Sequence, residues 1–203
     1  MDGRVAEPSP GEGTSIEPGD FVLGVARGHR KHQLIKLVQG ARLAPEHRRY
    51  AGYTHAALVV SADGDLLEAF GQGMRLSHLD DLAMRPHQVV HVTASPEVRE
   101  RVVAIGLHAF AGRARYNALA IVSTALTSAT GRPVSLSVAG THTCSGLVAH
   151  ALLAAGAVYD VDAALVTPAQ LAIHFGAPQP PPEDPSPACR TRRSVGRPAV
   201  TAP

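Results

Sequence analysis

Two short apolar segments joined by a strong turn signal constrain the fold of this chain more than any other feature. The segments are Thr54–Val60 and Asp65–Phe70, and the turn between them reads Ser61-Ala-Asp-Gly64. Apolar runs of this length separated by Asp and Gly are typical of paired β-strands. The sequence therefore predicts a β-hairpin over residues 54–70.

Predicted strands are grouped in the first half of the chain, and predicted helices come mostly later. This order favours an α+β fold over a wound parallel sheet. The other predicted elements are, in chain order, a strand from Phe21, a short helix Lys31–Val38, a strand Gln88–Val92, a helix presenting Val98, Val102, Ile105 and Ala109 on one face, a helix Tyr116–Ala129, a helix from Cys144, and a short helix after Thr167.

The composition of the 203 residues, 45% of them hydrophobic, is enough for one sizeable core, so a single domain is expected. We place it at residues 18–175. Residues 1–17 are rich in Gly, Pro, Ser and Glu and are predicted to be a disordered lead-in. Residues 176–203 combine a proline-rich segment with an arginine cluster and are predicted to be an extended, mobile tail.

Charge and cysteine content exclude several classes of protein. The formal net charge of +2 is too small to indicate a nucleic-acid-binding protein. Two cysteines, Cys144 and Cys189, cannot form a disulfide scaffold, which favours a reducing compartment. We see no secretory signal and no apolar run long enough to span a membrane, so we expect a cytoplasmic protein without an integral membrane segment, with export by an unrecognised route left open.

Cys144 is placed where a cysteine can become a nucleophile. Apolar residues recur at helical spacing after it, from Leu147 to Ala155, with Thr143 as a candidate cap and Gly156 as a stop. The free N–H groups and partial positive charge at a helix N-terminus stabilise a thiolate. The alternative is that Cys144 is a small buried apolar residue.

A base for such a thiol is offered by His55, which interrupts the start of an apolar strand. Glu68 is an ionisable residue in the partner strand, and a four-residue loop would place Ala57 opposite it. His55 and Glu68 would then be diagonal neighbours, about 7 Å apart at their β-carbons. A two-residue turn would instead bring Gln72 opposite His55, so Gln72 is the alternative residue to orient the imidazole.

The order of six motifs resembles the permuted papain-like cysteine amidohydrolases, the YiiX-like branch of the NlpC/P60 superfamily, which is related to lecithin retinol acyltransferase. In that branch the histidine strand precedes the cysteine helix. The motifs are Pro18-Gly-Asp-Phe-Val-Leu23, Thr54-His-Ala-Ala-Leu-Val-Val60, Leu66-Leu-Glu-Ala-Phe70, Ala114-Arg-Tyr-Asn117, Thr143-Cys-Ser-Gly-Leu-Val148 and Val166-Thr-Pro-Ala-Gln-Leu171.

The resemblance implies an antiparallel sheet packed against helices, with the nucleophile at a helix N-terminus. It assigns Cys144 as the nucleophile, His55 as the base and Glu68 as the residue that orients the imidazole, with no cofactor and no metal. The implied substrate contains an amide or acyl group, as in a peptide, a peptidoglycan fragment or a lipid. Gly146 departs from the family, which often has an acidic residue there.

Three other hypotheses stay open at this point. The same thioester chemistry could serve a lipid acyltransferase, or a thioesterase or phospholipase-like enzyme, instead of an amidase. His142, Cys144 and His150 could form a metal site, although two ligands so close together at a helix start have poor chelating geometry. Alternatively, the chain could be a binding module that kept the fold without the chemistry.

Overall fold

A computed structural model describes residues 15–25, 30–70, 73–82, 85–112, 115–116, 141–156 and 166–181 of the chain. Strands and helices are mixed within these residues, and short 3-10 helices lie at Pro45–Gly52 and Leu79–Leu82. The strands are β1 Phe21–Gly24, β2 His55–Val59, β3 Asp65–Phe70, β4 Gly73–His78, β5 His87–Val90, β6 Arg115–Tyr116 and β7 Thr141–His142. The helices are α1 Arg30–Arg42, α2 Pro96–Ala111, α3 Cys144–Ala154 and α4 Pro168–His174.

A five-stranded antiparallel sheet organises the described part of the chain, in the strand order β4-β3-β2-β1-β5. β6 and β7 form a separate, parallel pair of two residues each. The architecture is therefore α+β, as the order of strands and helices predicts. No described helix combines the length and the apolar character that a bilayer span requires.

The hairpin of β2 and β3 has the predicted register. Ala57 pairs with Glu68, and the N–H of Val60 donates to the carbonyl of Asp65 at 2.9 Å. Gly64 has a φ of 102°, a left-handed conformation that glycine adopts without strain. The four-residue loop is thus confirmed, and the two-residue alternative is not adopted; Gln72 lies outside the described residues.

The core lies mainly on one face of the sheet. Side chains alternate along a strand, so Phe21, Leu58 and Leu67 face the same way, and they pack with residues of α2, α3 and α4. The opposite face carries a smaller apolar cluster that includes Ala57 and Leu66. The apolar side chains of α3 pack in the larger core. This packing fixes the position of the first residue of the helix relative to β2.

Asp20 anchors the start of β1 to the segment before α2. Its fully buried carboxylate accepts hydrogen bonds from Val92 N–H at 3.0 Å and from Arg99 Nη1 at 2.8 Å, and His91 Nδ1 lies 2.8 Å from it. Burial opposes the charged form, but these partners outweigh it and lower the pKa of Asp20.

The packed part of the chain extends beyond both predicted domain boundaries. At the N-terminal side, Glu17 pairs with Arg99 at 3.2 Å. At the C-terminal side, Ala177 is buried in the core, and the Pro178 carbonyl accepts a hydrogen bond from the Tyr53 hydroxyl at 2.9 Å. Residues 176–181, assigned to the mobile tail from composition, therefore lie against the domain.

Several elements differ from the sequence-based expectations. α1 continues to Arg42 instead of ending at Val38, and buried Gln39 binds the carbonyls of Ala51 and Tyr53 at 2.7 and 2.6 Å. β4 was not predicted at all. Tyr116, the predicted first residue of a helix, lies in β6, and the rest of that predicted helix is outside the described residues.

Candidate active site

The hairpin register brings His55 and Glu68 into direct contact. His55 Nε2 lies 3.0 Å from Glu68 Oε1. The Glu68 side chain is 1% exposed and that of His55 is 15% exposed, so water screens this pair weakly. The diagonal arrangement expected from the four-residue loop is therefore what the structure contains.

Cys144 is the first residue of α3, and Thr143 caps the helix as predicted. The Thr143 hydroxyl accepts a hydrogen bond from the backbone N–H of Gly146 at 2.9 Å. Ser145 ties the same turn to the segment before α4, because its buried hydroxyl donates to the Val166 carbonyl at 2.7 Å. Gly156 has a φ of 80°, as expected of the residue that follows a helix end.

The thiol of Cys144 and the imidazole of His55 lie close enough for each to shift the pKa of the other. Since Nε2 of His55 faces Glu68, Nδ1 is the ring nitrogen that remains for the sulfur. The backbone N–H groups of Ala56 and Ser145 also favour the thiolate and lower the pKa of Cys144. The structure thus brings Cys144, His55 and Glu68 into one continuous series of contacts, with Cys144 only 7% exposed.

The electrostatics of the site favour a proton on the imidazole. Burial opposes a charged His55, but its hydrogen bonds to Cys144 and Glu68 and the negative charge of both raise the pKa of His55 to about 9. Burial also opposes the thiolate, yet His55 and the two backbone N–H groups lower the pKa of Cys144. The histidine pKa is raised and the cysteine pKa is lowered, so each group favours the charged form of the other.

Two residues that the sequence analysis missed complete this cluster. Arg75 of β4 pairs with Glu68, with Nε 3.0 Å and Nη2 2.9 Å from Oε2. The Phe70 ring stacks on the His55 ring with centroids 5.0 Å apart. The Gly71-Gln-Gly73 run after β3 was the available signal for a second hairpin, which would have placed Arg75 beside Glu68.

The alternative metal site gains no support from the described side chains. Among these, no group of three or more His, Cys, Asp or Glu residues could hold a metal ion. His150 lies six residues after Cys144 on α3, a rise of about 9 Å along the helix, which is too far for a shared ion. The side chain of His142 lies outside the described residues.

Comparisons with known proteins yielded no relatives. No family model matches the chain, and neither a curated protein nor a solved structure matches it significantly.

Proposed function

We propose that this protein is a cysteine hydrolase of the permuted papain-like type, which cleaves amide or peptide bonds through a thioester on Cys144. The observation that carries the proposal is that Cys144 lies beside His55, whose Nε2 is 3.0 Å from Glu68 Oε1. This arrangement contains a thiol, a base and a group that orients the base, which nucleophilic catalysis requires. The order of these residues in the chain agrees with the permuted branch.

In the proposed reaction, His55 accepts the thiol proton and the Cys144 thiolate attacks the substrate carbonyl. The negative charge on the carbonyl oxygen develops next to the N-terminus of α3, where backbone N–H groups can stabilise it. Imidazolium then donates its proton to the departing amine, and a thioester remains on Cys144. Water, activated by the now neutral His55, hydrolyses the thioester and restores the free thiol.

Glu68 supports both proton transfers without exchanging a proton itself. Its contact with Nε2 directs Nδ1 toward the sulfur and stabilises the imidazolium. Burial raises the pKa of Glu68, but its hydrogen bond and ion pair with His55, followed by the nearby Ser77 and Arg75 side chains, lower it overall. Glu68 is therefore ionised wherever the proposed reaction runs near neutral pH.

Alkylation of Cys144 by iodoacetamide tests the proposed ion pair. Below neutral pH, we expect Cys144 to react at least about tenfold faster than Cys189, which serves as a reference thiol in the same chain. His55→Ala removes this advantage, whereas His108→Ala, at an exposed position on α2, retains it. Mass spectrometry of the separated peptides measures both cysteines in each sample.

The pH profile separates thiol ionisation from limited access to the sulfur. Burial slows alkylation at every pH, whereas a lowered pKa moves the rise in rate to lower pH. If the rate at Cys144 rises at the same pH as that at Cys189, the proposed ion pair is wrong.

A minimal acyl donor tests the chemical step. With p-nitrophenyl acetate, we expect a burst of nitrophenolate, an acetyl thioester on the Cys144 peptide, and its subsequent hydrolysis. Cys144→Ser is expected to lose the thioester and most of the burst.

A further inference from the structure

Arg75 occupies the side of Glu68 that His55 leaves open. Glu68 and Arg75 are directly paired in the β3–β4 ladder. Both contacting nitrogens of the guanidinium lie at Glu68 Oε2, at 3.0 and 2.9 Å, whereas His55 lies at Oε1. The two oxygens of one carboxylate therefore serve different partners. Rotation of the carboxylate would break contacts on both sides at once.

The burial of the two partners is unequal. The Glu68 side chain is 1% exposed, and that of Arg75 is 58% exposed. A buried carboxylate loses its hydration and needs a compensating cation, whereas the largely exposed guanidinium keeps much of its own. Among the described residues, the charged or titratable groups that contact Glu68 are His55 of β2 and Arg75 of β4.

Phe70 links the guanidinium to the imidazole by a second route. The guanidinium carbon of Arg75 lies 4.3 Å from the centroid of the Phe70 ring, which is within the range of a cation–π contact. The His55 ring stacks on the same Phe70 ring at an interplanar angle of 23°. One aromatic ring thus contacts both the base and the arginine. Arg75 is held in place by a carboxylate and a ring that both also contact His55.

From this geometry we infer that Arg75 is a positioning residue of the proposed reaction: it keeps Glu68 ionised and turned so that Oε1 faces His55. The inference rests on the proposed function, because it assigns Arg75 a role in activating Cys144. Arg75 acts through Glu68 and exchanges no proton.

The test compares Arg75→Met with wild type in the iodoacetamide pH profile of Cys144. Methionine keeps an unbranched apolar chain beside Phe70 and removes the charge. An opposite charge near a carboxyl lowers its pKa by about 1–3 units, so its loss lets Glu68 take up a proton at higher pH. In Arg75→Met, we expect the rise in the alkylation rate of Cys144 to move to higher pH by about one unit. Arg75→Lys should give a smaller shift.

Two comparisons distinguish this role from a general structural effect. Arg101→Met makes the same change at an exposed arginine of α2 and leaves the profile unchanged. In a Glu68→Gln background, Arg75→Met produces no further shift of the pH profile. Arg75 acts through the charge of Glu68, and the glutamine has none. A purely structural arginine would change the melting temperature of Arg75→Met and leave its pH profile in place.

The outcomes separate the two proposals. Suppose that the alkylation rate of wild-type Cys144 rises at a lower pH than that of Cys189, and that Arg75→Met has the same profile as wild type. The assignment of Arg75 is then overturned and the proposed function stands. If the alkylation rate of wild-type Cys144 rises at the same pH as that of Cys189, the proposed function itself fails. Should Arg75→Met not fold, Arg75→Gln removes the charge with a polar side chain and takes its place, and a wild-type profile for that variant overturns the assignment.

Discussion

Glu68 is a charged residue in an otherwise apolar strand, and its burial is tolerated because partners surround it. Deleting one partner of a buried charge leaves the other uncompensated, so such clusters respond strongly to single substitutions. His55, Glu68 and Arg75 come from three neighbouring strands, and their contacts run across the sheet. Each of the three side chains therefore depends on strand register as well as on its own chemistry.

Glu68→Gln is expected to lower the pKa of His55. The carboxylate is one of the two groups that raise this pKa to about 9, and an uncharged amide cannot supply the coulombic part. We expect a decrease of at least about one unit, read from an NMR titration of the imidazole. Asp65→Asn makes the same change on the same strand, where the carboxylate contacts Ser61, and it should leave the His55 titration as in wild type. An unaltered His55 titration in Glu68→Gln would contradict the pairing described above.

At the scale of elements, the first turn of α3 determines where the sulfur lies. Three contacts hold this turn: the Thr143 cap, the bond from Ser145 to Val166, and the apolar packing that begins at Leu147. The Thr143 cap is the contact that binds a backbone N–H, that of Gly146, in the turn that contains Cys144. Its strength should therefore affect both helix stability and thiol reactivity.

Thr143→Ala is expected to lower the free energy of unfolding by about 1 kcal/mol, the usual effect of losing a helix cap. It should also slow the alkylation of Cys144 below neutral pH, because the Gly146 N–H loses its partner and the turn loosens. Ser95→Ala removes the equivalent hydroxyl from the start of α2. Urea unfolding and alkylation of both variants would show a stability loss in each and a slower thiol in Thr143→Ala alone. Equal alkylation rates would mean that the cap does not position the sulfur.

The sequence predicts the elements whose signals are local. The turn Ser61–Gly64 and the strands beside it define the hairpin register, and Thr143 and Gly156 delimit α3. β4 is harder to recognise because it lies at the sheet edge, where Leu76 is 50% exposed and no continuous apolar face forms. Arg75 was missed for that reason. Cys144 and His55 are far apart in the chain; the search for a base selected His55 from its place in an apolar strand, and the family resemblance assigned it to Cys144.

At the scale of the whole molecule, the composition of the C-terminal segment gave a misleading boundary. A proline-rich run indicates an extended backbone, but an extended backbone can still pack when its carbonyls and small side chains find partners. Pro178 and Ala177 do so, at Tyr53 and in the core respectively. The segment 176–181 is thus a strap across the domain that propensity alone does not reveal.

A chain ending at residue 175 is expected to be less stable than one ending at residue 181 by about 1–2 kcal/mol. The shorter chain loses one hydrogen bond from the buried Tyr53 and the burial of a small apolar side chain, each of which contributes about 1 kcal/mol. Both chains lack residues 182–203, so the comparison isolates the strap. Urea denaturation measures the difference, and coincident midpoints with equal slopes would show that the strap adds nothing.

The order of the site residues along the chain has a consequence for biosynthesis. His55 and Glu68 belong to one hairpin and meet through local pairing, whereas Cys144 reaches them only after a much longer loop has closed. Local contacts form early, and domains fold from the N-terminus as synthesis proceeds. Under the proposed function, the thiol of the nascent chain is therefore without its base until α3 docks against the hairpin. The proposed base of Cys144 is thus supplied by the fold and not by the neighbours of the cysteine in sequence.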